Sequence, residues 1–412
     1  MARFLHTADW QIGRHSLNAS HSGRARGGRF AEDDAALLAE ARFTAIERIA
    51  ALATAEQVDA VLVAGDLFDA QTVADKTIRR TFQAMAAYKG NWIVIPGNHD
   101  AALAESVWTR AQRLNAIPAN VKLLLHPEPV LFADQGFAVL PAPLTQRQTY
   151  HDLTDWFDDA QTPAHLLRIG LAHGSVEGQL PESADSPNPI AADRAQTARL
   201  DYLALGDWHG TKQINPRTWY SGTPEQERFK DNGAGQVLMV DIDQPGAEPK
   251  VTQHAIGQHQ WIKREVTLAV DADLDNLLTE LQQVPDKSVV DLTIHGQINL
   301  QNHQRLWQIL GDFEARQRSL QSDLSQLRLY PTADDIAALH ADGYVGEVIE
   351  ELRQQQASHQ SSGQSSGQSN GQSNGQSNGQ ANDSPSDAAE TAREALAILA
   401  DMLRQQTAEV SP

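Results

Sequence analysis

The feature that most constrains the fold is a series of five short apolar runs in the first 245 residues. In chain order they read RFLHTA, AVLVAG, WIVIPG, RIGLAHG and YLALGD. Each run has the length and composition of a β-strand. Helical stretches such as DDAALLAEARFTAIERIAALATA and KTIRRTFQAMAAY alternate with them. Because alternation of strands and helices is typical of layered α/β proteins, we predict an α/β fold for residues 1–245.

Polar residues with metal-binding side chains follow each of these runs. In open α/β sheets, ligands collect at the carboxyl ends of the strands. A single Asp or His after a strand is usually a turn, capping or core residue, but five such strand ends in series indicate a site. Oxygen and imidazole ligands suit a hard or borderline divalent ion. The candidate ligands are Asp9, Gln11, Asp66, Asn98, His173, Asp207 and His209.

The same segments resemble the motifs of the calcineurin-like metallophosphoesterases, and within them the SbcD-type DNA repair exonucleases. FLHTADWQIG, GDLFD, GNHD, AHG and LGDWH are similar to the five family motifs in order. WYSGTPEQERF resembles the segment that follows in SbcD-like chains. The resemblance covers residues 1 to about 230. It implies a layered β-sandwich flanked by helices, with a smaller α/β capping domain and a tethered C-terminal helix.

The resemblance also implies a division of roles around two divalent metal ions. The first ion would bind Asp9, Gln11, Asp66 and His209, and the second would bind Asp66, Asn98, His173 and Asp207. Asp66 would bridge the ions, because one carboxylate can share two oxygens between two cations. Two of the implied roles are catalytic. His99 would face the substrate and stabilise or protonate the leaving oxygen, while Asp100 would orient His99 or cap the next helix.

Two positions depart from the family pattern. Gln11 and Asp207 stand where the family usually has histidine. Oxygen ligands in place of imidazole favour Mn²⁺, or else Mg²⁺, over zinc. Gln11 could bind the metal directly or hydrogen-bond to a metal-bound water.

Four arginines follow the first motif in a Gly-rich stretch without acidic residues. They are Arg14, Arg24, Arg26 and Arg29. Arginine side chains bind phosphates well, so these residues are candidates for DNA contacts. A solvated loop is the alternative interpretation.

Composition restricts the classes of protein to consider. The 412 residues include no cysteine, which excludes disulfides and cysteine-based metal sites. No apolar stretch approaches a membrane span, and the N-terminus lacks a signal-peptide core, so we expect a cytoplasmic protein without a membrane partner. The net charge of −20 argues against a protein that coats nucleic acid. It leaves a nuclease possible, because metal ions supply local positive charge.

The rest of the chain has a different organisation. Strand and helix patterns over residues 255–330 predict a small α/β domain for capping or DNA recognition, and residues 331–356 look helical. Residues 357–383 are rich in Ser, Gly, Gln and Asn and read as a flexible linker. Residues 384–406 then predict an amphipathic helix, which would dock on its own body or on a partner.

These observations support one main hypothesis and two alternatives. The main hypothesis is a Mn²⁺-dependent DNA exonuclease or endonuclease that acts in DNA repair. The resemblance implies a homodimer whose C-terminal helix binds an SbcC-like ATPase. The first alternative is a metallophosphoesterase acting on cyclic nucleotides or other small phosphate esters. The second alternative is a DNA-end-binding scaffold with weak catalysis.

Overall fold

The computed structural model describes residues 1–14, 32–179 and 188–329, together with a few isolated positions between 347 and 398. The chain divides into two compact units, Met1–Trp261 and the part that begins at Ile262. Several predicted features lie outside the described residues: Arg24, Arg26 and Arg29, the linker, and nearly all of the two C-terminal helical segments. No helix within the described ranges is long and apolar enough to cross a membrane.

Unit 1 contains fourteen strands and four helices among its described residues. The strands are β1 (Ala2–Thr7), β2 (Ala60–Ala64), β3 (Asn91–Ile95), β4 (Val121–Leu123), β5 (Val130–Phe132), β6 (Phe137–Ala142), β7 (Leu167–His173), β8 (Ser175–Val176), β9 (Pro189–Ile190), β10 (Tyr202–Gly206), β11 (Lys212–Asn215), β12 (Thr218–Tyr220), β13 (Gln236–Ile242) and β14 (Lys250–Ala255). The helices are α1 (Glu32–Ala55), α2 (Asp75–Met85), α3 (Val107–Arg113) and α4 (Arg194–Thr197).

Two six-stranded sheets form the body of unit 1. The first has the order β14-β13-β1-β2-β3-β4 and the second has the order β11-β12-β10-β7-β6-β5. Strands β1 to β4 run parallel, as do β6, β7, β10 and β12. The carboxyl ends of parallel neighbours lie at one edge of their sheet, so the loops after β1, β2 and β3 emerge together. The loops after β7 and β10 do the same in the second sheet.

The two sheets pack face to face and helices cover the first. Phe4 of β1 meets Phe137 of β6 edge-on, with ring centroids 4.9 Å apart, inside the core between the sheets. Helices α1, α2 and α3 cover the opposite face of the first sheet with apolar side chains such as Ile46, Phe82 and Trp108. Every residue of β2 is therefore buried, which explains its unbroken apolar sequence. This arrangement confirms the predicted layered α/β fold.

Unit 2 has its own core. Its described elements are β15 (Trp261–Leu268, whose first residue ends unit 1), α5 (Asp271–Gln283), β16 (Val289–Ile298), α6 (Leu300–Glu314) and β17 (Ser319–Leu329). The strands form one sheet in the order β15-β16-β17, with β16 and β17 parallel. Leu274, Leu277 and Leu281 share one face of α5 and are buried in the unit's core.

Candidate metal centre

Three loops that follow strands are joined by hydrogen bonds at the edge of the sandwich. The Asp9 amide donates to the Gly65 carbonyl at 3.1 Å, and the Gln11 amide donates to the Asp66 carbonyl at 2.9 Å. The Asp207 amide donates to the Asp9 carboxylate at 3.1 Å. The loops after β1 and β2 in the first sheet therefore meet the loop after β10 in the second.

Asp9, Asp66 and His173 form a buried cluster where these loops meet. One potential ligand atom from each lies within 4.8 Å of the others. The Nε2 atom of His173 is 3.7 Å from Asp66 Oδ1 and 3.7 Å from Asp207 Oδ1. The other ring nitrogen, Nδ1, lies 2.9 Å from the Ala64 carbonyl. Since a carbonyl can only accept, Nδ1 carries a proton there, and Nε2 faces the carboxylates.

Two buried atoms at this site lack a hydrogen-bond partner within the described part of the chain. They are Asn98 Oδ1 and His173 Nε2. Buried polar atoms are nearly always paired, and asparagine and histidine are both residue types that can bind metals. The amide of His99, the next residue after Asn98, donates to Asp66 Oδ1 at 2.9 Å, which places Asn98 beside the cluster. These residues therefore fit a divalent cation.

The charges of the cluster are strongly coupled. Burial raises the pKa of Asp9 to about 6, an effect that the histidines oppose and the neighbouring carboxylates reinforce. Burial alone would lower the pKa of His173, but the carboxylates of Asp66, Asp9 and Asp207 outweigh it and raise the pKa to about 9. The same carboxylates that favour a proton on His173 would favour a divalent cation, which would take the place of that proton.

His99 lies at the opening of the cluster. Its side chain is partly exposed, and its Nδ1 lies 2.8 Å from the Asp69 carbonyl, to which it donates. Its Nε2 is 4.0 Å from Asp66 Oδ2. The Asp69 carbonyl thus fixes the ring with Nε2 next to the cluster, where it can exchange a proton with a substrate.

Asp100 holds two loops together. Its Oδ1 accepts from the Gly97 amide at 2.7 Å and its Oδ2 accepts from the Phe68 amide at 3.0 Å. Helix α3 is capped by Ser106, and the His99 ring is held by Asp69. The structure therefore differs from the expectation that Asp100 orients the ring or caps the helix: both carboxylate oxygens bind main-chain amides that join the GNHD and GDLFD loops.

His209 and Gln11 lie in contact at the other side of the centre. Gln11 Nε2 is 3.1 Å from His209 Nε2, and Gln11 Oε1 accepts from Arg14. The second nitrogen of His209, Nδ1, is 2.5 Å from Glu227 Oε1. Glu227 is absent from the residues predicted for the site, although it lies in the WYSGTPEQERF segment that resembles SbcD-like chains.

The backbone of the metal loops is strained. Asp9, Gln11, Asp66 and Asp207 all have positive φ angles, of 54°, 46°, 53° and 100°. Side-chain-bearing residues rarely adopt such angles, and each costs on the order of 1–3 kcal/mol. Gly97 allows the close approach of the loops, because a Cβ there would lie 2.2 Å from Asp66 Oδ1. Strained residues with short polar side chains are thus grouped at the site.

Cationic side chains contact Gln11, His209 and the intervening motif residue Trp208. Arg14 is in contact with Gln11, and Arg228 Nη2 lies 3.2 Å from His209 Nδ1. Trp208, between the site residues 207 and 209, has the ammonium of Lys230 4.4 Å from its ring centroid. Lys212 is 6.0 Å from the same centroid. Four basic side chains thus lie on or beside residues predicted for the site.

Comparison with known proteins identifies the family of this chain. The family model for calcineurin-like phosphoesterases matches residues 2–231, more than half of the chain, and the chain therefore belongs to that family, whose members use divalent metals.

The curated relatives are more distant. An uncharacterized metallophosphoesterase of Bacillus subtilis, YhaO, is 26% identical over 257 residues, which cover 58% of this chain and 57% of YhaO. The SbcD subunit of the nuclease SbcCD of Bacillus subtilis is 26% identical over 284 residues, covering 60% of this chain and 67% of that protein. The corresponding subunit of Rhodobacter capsulatus is 35% identical over 105 residues, covering 24% and 22%. The match thus spans little more than half the length of YhaO.

Among solved structures, the protein TT1561 of Thermus thermophilus aligns with 62% of this chain and 99% of its own length. The TM-score is 0.38 and the sequence identity is 12%.

Proposed function

We propose that the protein is a metal-dependent DNA nuclease that hydrolyses phosphodiester bonds at a two-metal centre. One ion would bind Asp9, Gln11, Asp66 and His209, and the other would bind Asp66, Asn98, His173 and Asp207. The oxygen-rich set, with Gln11 and Asp207 in place of histidines, favours Mn²⁺, with Mg²⁺ as the second choice. Bound divalent ions would activate water and neutralise the charge that develops on the phosphate.

The observation that supports DNA as the substrate is a set of basic side chains on and beside the predicted site residues. The chain carries a net charge of −20, yet Arg14 and Arg228 contact Gln11 and His209, and Lys230 and Lys212 lie over the ring of Trp208, the residue between positions 207 and 209. A polyanion contacts several cations at once, whereas a small phosphate ester needs few. Two of the curated relatives are nuclease subunits, which agrees with this choice.

Within this mechanism His99 supplies the proton for the leaving oxygen. The Asp69 carbonyl holds Nδ1, so that Nε2 is the nitrogen that exchanges a proton with the substrate. The Asp100 carboxylate accepts hydrogen bonds from the Gly97 and Phe68 amides. These bonds hold the loop that carries His99 against the loop that carries Asp66. The chain thereby places its proton donor next to its metal ligands.

We further propose an ATPase partner of the SbcC type and a homodimeric assembly. The support is that the curated nuclease relatives are named as subunits of an SbcCD enzyme. The sequence of residues 384–406 suits a helix that docks on such a partner. Deleting residues 357–412 should preserve cleavage by the isolated protein and weaken co-purification with the ATPase. Loss of intrinsic cleavage would instead assign the helix to the catalytic body.

The test of the function is a cleavage assay with the purified full chain. End-labelled single- and double-stranded oligonucleotides are incubated with Mn²⁺, with Mg²⁺ or with EDTA, and bis-p-nitrophenyl phosphate is assayed in parallel. We expect Mn²⁺-dependent cleavage of DNA that EDTA abolishes. Turnover of bis-p-nitrophenyl phosphate without DNA cleavage would assign the chain to small phosphodiesters. DNA binding without turnover of either substrate would indicate a scaffold.

A further inference from the structure

Glu227 is a buried carboxylate that contacts four basic side chains. Its Oε1 lies 2.5 Å from His209 Nδ1 and 2.7 Å from Arg228 Nη2. Its Oε2 lies 2.8 Å from Arg14 Nη1 and 3.2 Å from Arg42 Nη2. The Glu227 side chain is only 3% exposed. A buried carboxylate is costly unless it is paired and hydrogen-bonded, and here both oxygens have cationic partners.

The contact with His209 determines which ring nitrogen faces the metal centre. A carboxylate accepts, so the hydrogen bond places a proton on Nδ1 and leaves the lone pair on Nε2. Nε2 is the nitrogen next to the Gln11 amide, at 3.1 Å. Histidines that bind metals commonly donate their second nitrogen to a carboxylate in this way, which fixes the tautomer and makes the ligand more basic.

The contacts with the arginines connect Glu227 to the first metal loop. Arg42 projects from α1, is 6% exposed, and donates to the Trp10 carbonyl at 3.0 Å as well as to Glu227. Arg14 binds both Glu227 and Gln11. The side chains of Arg14 and Arg228 remain 30% and 51% exposed, so their guanidinium groups are accessible beside the centre.

We propose that Glu227 is a positioning residue that fixes His209 for metal binding and holds Arg14 and Arg228 together as contacts for a substrate phosphate. The first half of this proposal, that Glu227 fixes His209 for metal binding (the metal-binding half), rests on the geometry of the centre alone. The phosphate half rests on the proposed nuclease function. The two halves have separate readouts, so that failure of one leaves the other testable.

Glu225 provides a matched control in the same loop. It is also a buried glutamate, but its carboxylate accepts from the main-chain amides of Gln258 and His259, at 2.7 and 3.0 Å. Glu225→Gln therefore makes the same chemical change two residues away, on a carboxylate that binds main-chain amides. Its metal affinity and DNA affinity should remain within about threefold of the wild-type values.

The first measurement is Mn²⁺ binding to the full chain by isothermal titration calorimetry, with no substrate present. We expect Glu227→Gln to weaken one class of Mn²⁺ site by about 10–100-fold, the usual effect of removing the carboxylate behind a ligand histidine. In a His209→Ala background the same substitution should have no further effect on Mn²⁺ affinity. Wild-type Mn²⁺ affinity in Glu227→Gln, or an equal loss with and without His209, would overturn the metal-binding half.

The second measurement is the affinity for a fluorescent single-stranded oligonucleotide in EDTA, as a function of salt. Losing the two phosphate contacts should weaken binding and reduce the slope of log Kd against log salt by about 1–2. Loss of the Glu227 charge alone would instead strengthen binding and steepen the slope, so an unchanged or tighter affinity with an unchanged or steeper slope would overturn the phosphate half.

If Glu227→Gln does not fold, as judged by near-ultraviolet circular dichroism, Glu227→Asp replaces it in the Mn²⁺ titration. Arg14→Gln combined with Arg228→Gln then replaces it in the oligonucleotide assay, where an unchanged affinity and slope would overturn the phosphate half. The shorter carboxylate of Glu227→Asp keeps the charge that pairs with the arginines but moves away from His209. It should weaken Mn²⁺ binding by about tenfold. Wild-type Mn²⁺ affinity in Glu227→Asp would overturn the metal-binding half.

Discussion

His6 gives a quantitative prediction about acid stability, because it is a fully buried histidine between the two sheets of unit 1. Its Nε2 lies 3.1 Å from the Leu205 carbonyl and its Nδ1 lies 2.9 Å from the Tyr202 hydroxyl. The carbonyl can only accept, so Nε2 carries the proton and Nδ1 accepts from Tyr202. The neutral ring is fully satisfied, and burial lowers its pKa from 6.5 to about 3.

The sign of the effect follows from where protons bind. In the unfolded chain His6 binds a proton below pH 6.5, whereas in the folded chain it stays neutral down to about pH 3. The free energy of unfolding therefore falls as the pH falls from 6.5 towards 3. Above pH 6.5 the contribution of His6 to stability is complete. One pH unit corresponds to about 1.4 kcal/mol. At pH 5 the protein should therefore have lost about 2 kcal/mol through His6 alone.

The assay is urea unfolding in EDTA at pH 7.5 and pH 5, followed by tryptophan fluorescence. All eight tryptophans except Trp307 lie in unit 1, so the signal reports mainly on that unit. Between pH 7.5 and pH 5 the free energy of unfolding of His6→Gln should fall by about 2 kcal/mol less than that of the wild type. This difference does not depend on the absolute stability of the variant. His126 is exposed, and His126→Gln should behave as wild type. An equal loss in His6→Gln and wild type would refute the argument.

Four further predictions concern the metal centre. Asp66→Ala should abolish both Mn²⁺ binding and cleavage, measured by calorimetry and the oligonucleotide assay, and near-normal activity would exclude a bridging role. His99→Ala should lower kcat by about 10²–10⁴-fold while Mn²⁺ stoichiometry is retained; loss of metal would make His99 a ligand. Gln11→His should raise Mn²⁺ affinity or change the preference among metals if Gln11 occupies a ligand position, and an unchanged affinity with an unchanged metal preference would show that Gln11 is not a direct ligand. Asp100→Asn should lower the free energy of unfolding of unit 1 by about 1–3 kcal/mol, because its amide NH₂ would face the main-chain donor of Gly97 or Phe68. Urea unfolding measures this change, and wild-type stability would contradict the account.

The sequence predicts the sheet and the candidate ligands at its edge because both signals are local. Asp9, Asp66 and Asn98 each follow an apolar strand within a few residues, and parallel strands bring those positions to one edge. The strand pattern also predicts the layered fold, since a sheet that is covered on both faces needs apolar residues throughout.

Other features depend on contacts that no local pattern encodes. Glu227 touches His209 from a loop without periodicity, and Arg42 looks like an ordinary solvated helix residue until its carboxylate partner is known. The sequence likewise does not show whether the Asp100 carboxylate faces a ring or main-chain amides. The antiparallel pairing of β13 with β1 places His6 opposite Leu238. These residues lie far apart along the chain, so no local pattern predicts their pairing.

The left-handed backbone angles of Asp9, Gln11 and Asp66 have a consequence for protein engineering. Glycine or asparagine would fit those angles with less strain. Any redesign that optimises folding free energy alone would therefore replace the residues on which the proposed metal centre depends. Variants selected only for heat resistance should drift towards glycine at these sites and lose their ions as they gain stability. A metal-binding role for these positions predicts such a conflict, and a library screened separately for thermal tolerance and Mn²⁺ uptake would test it directly.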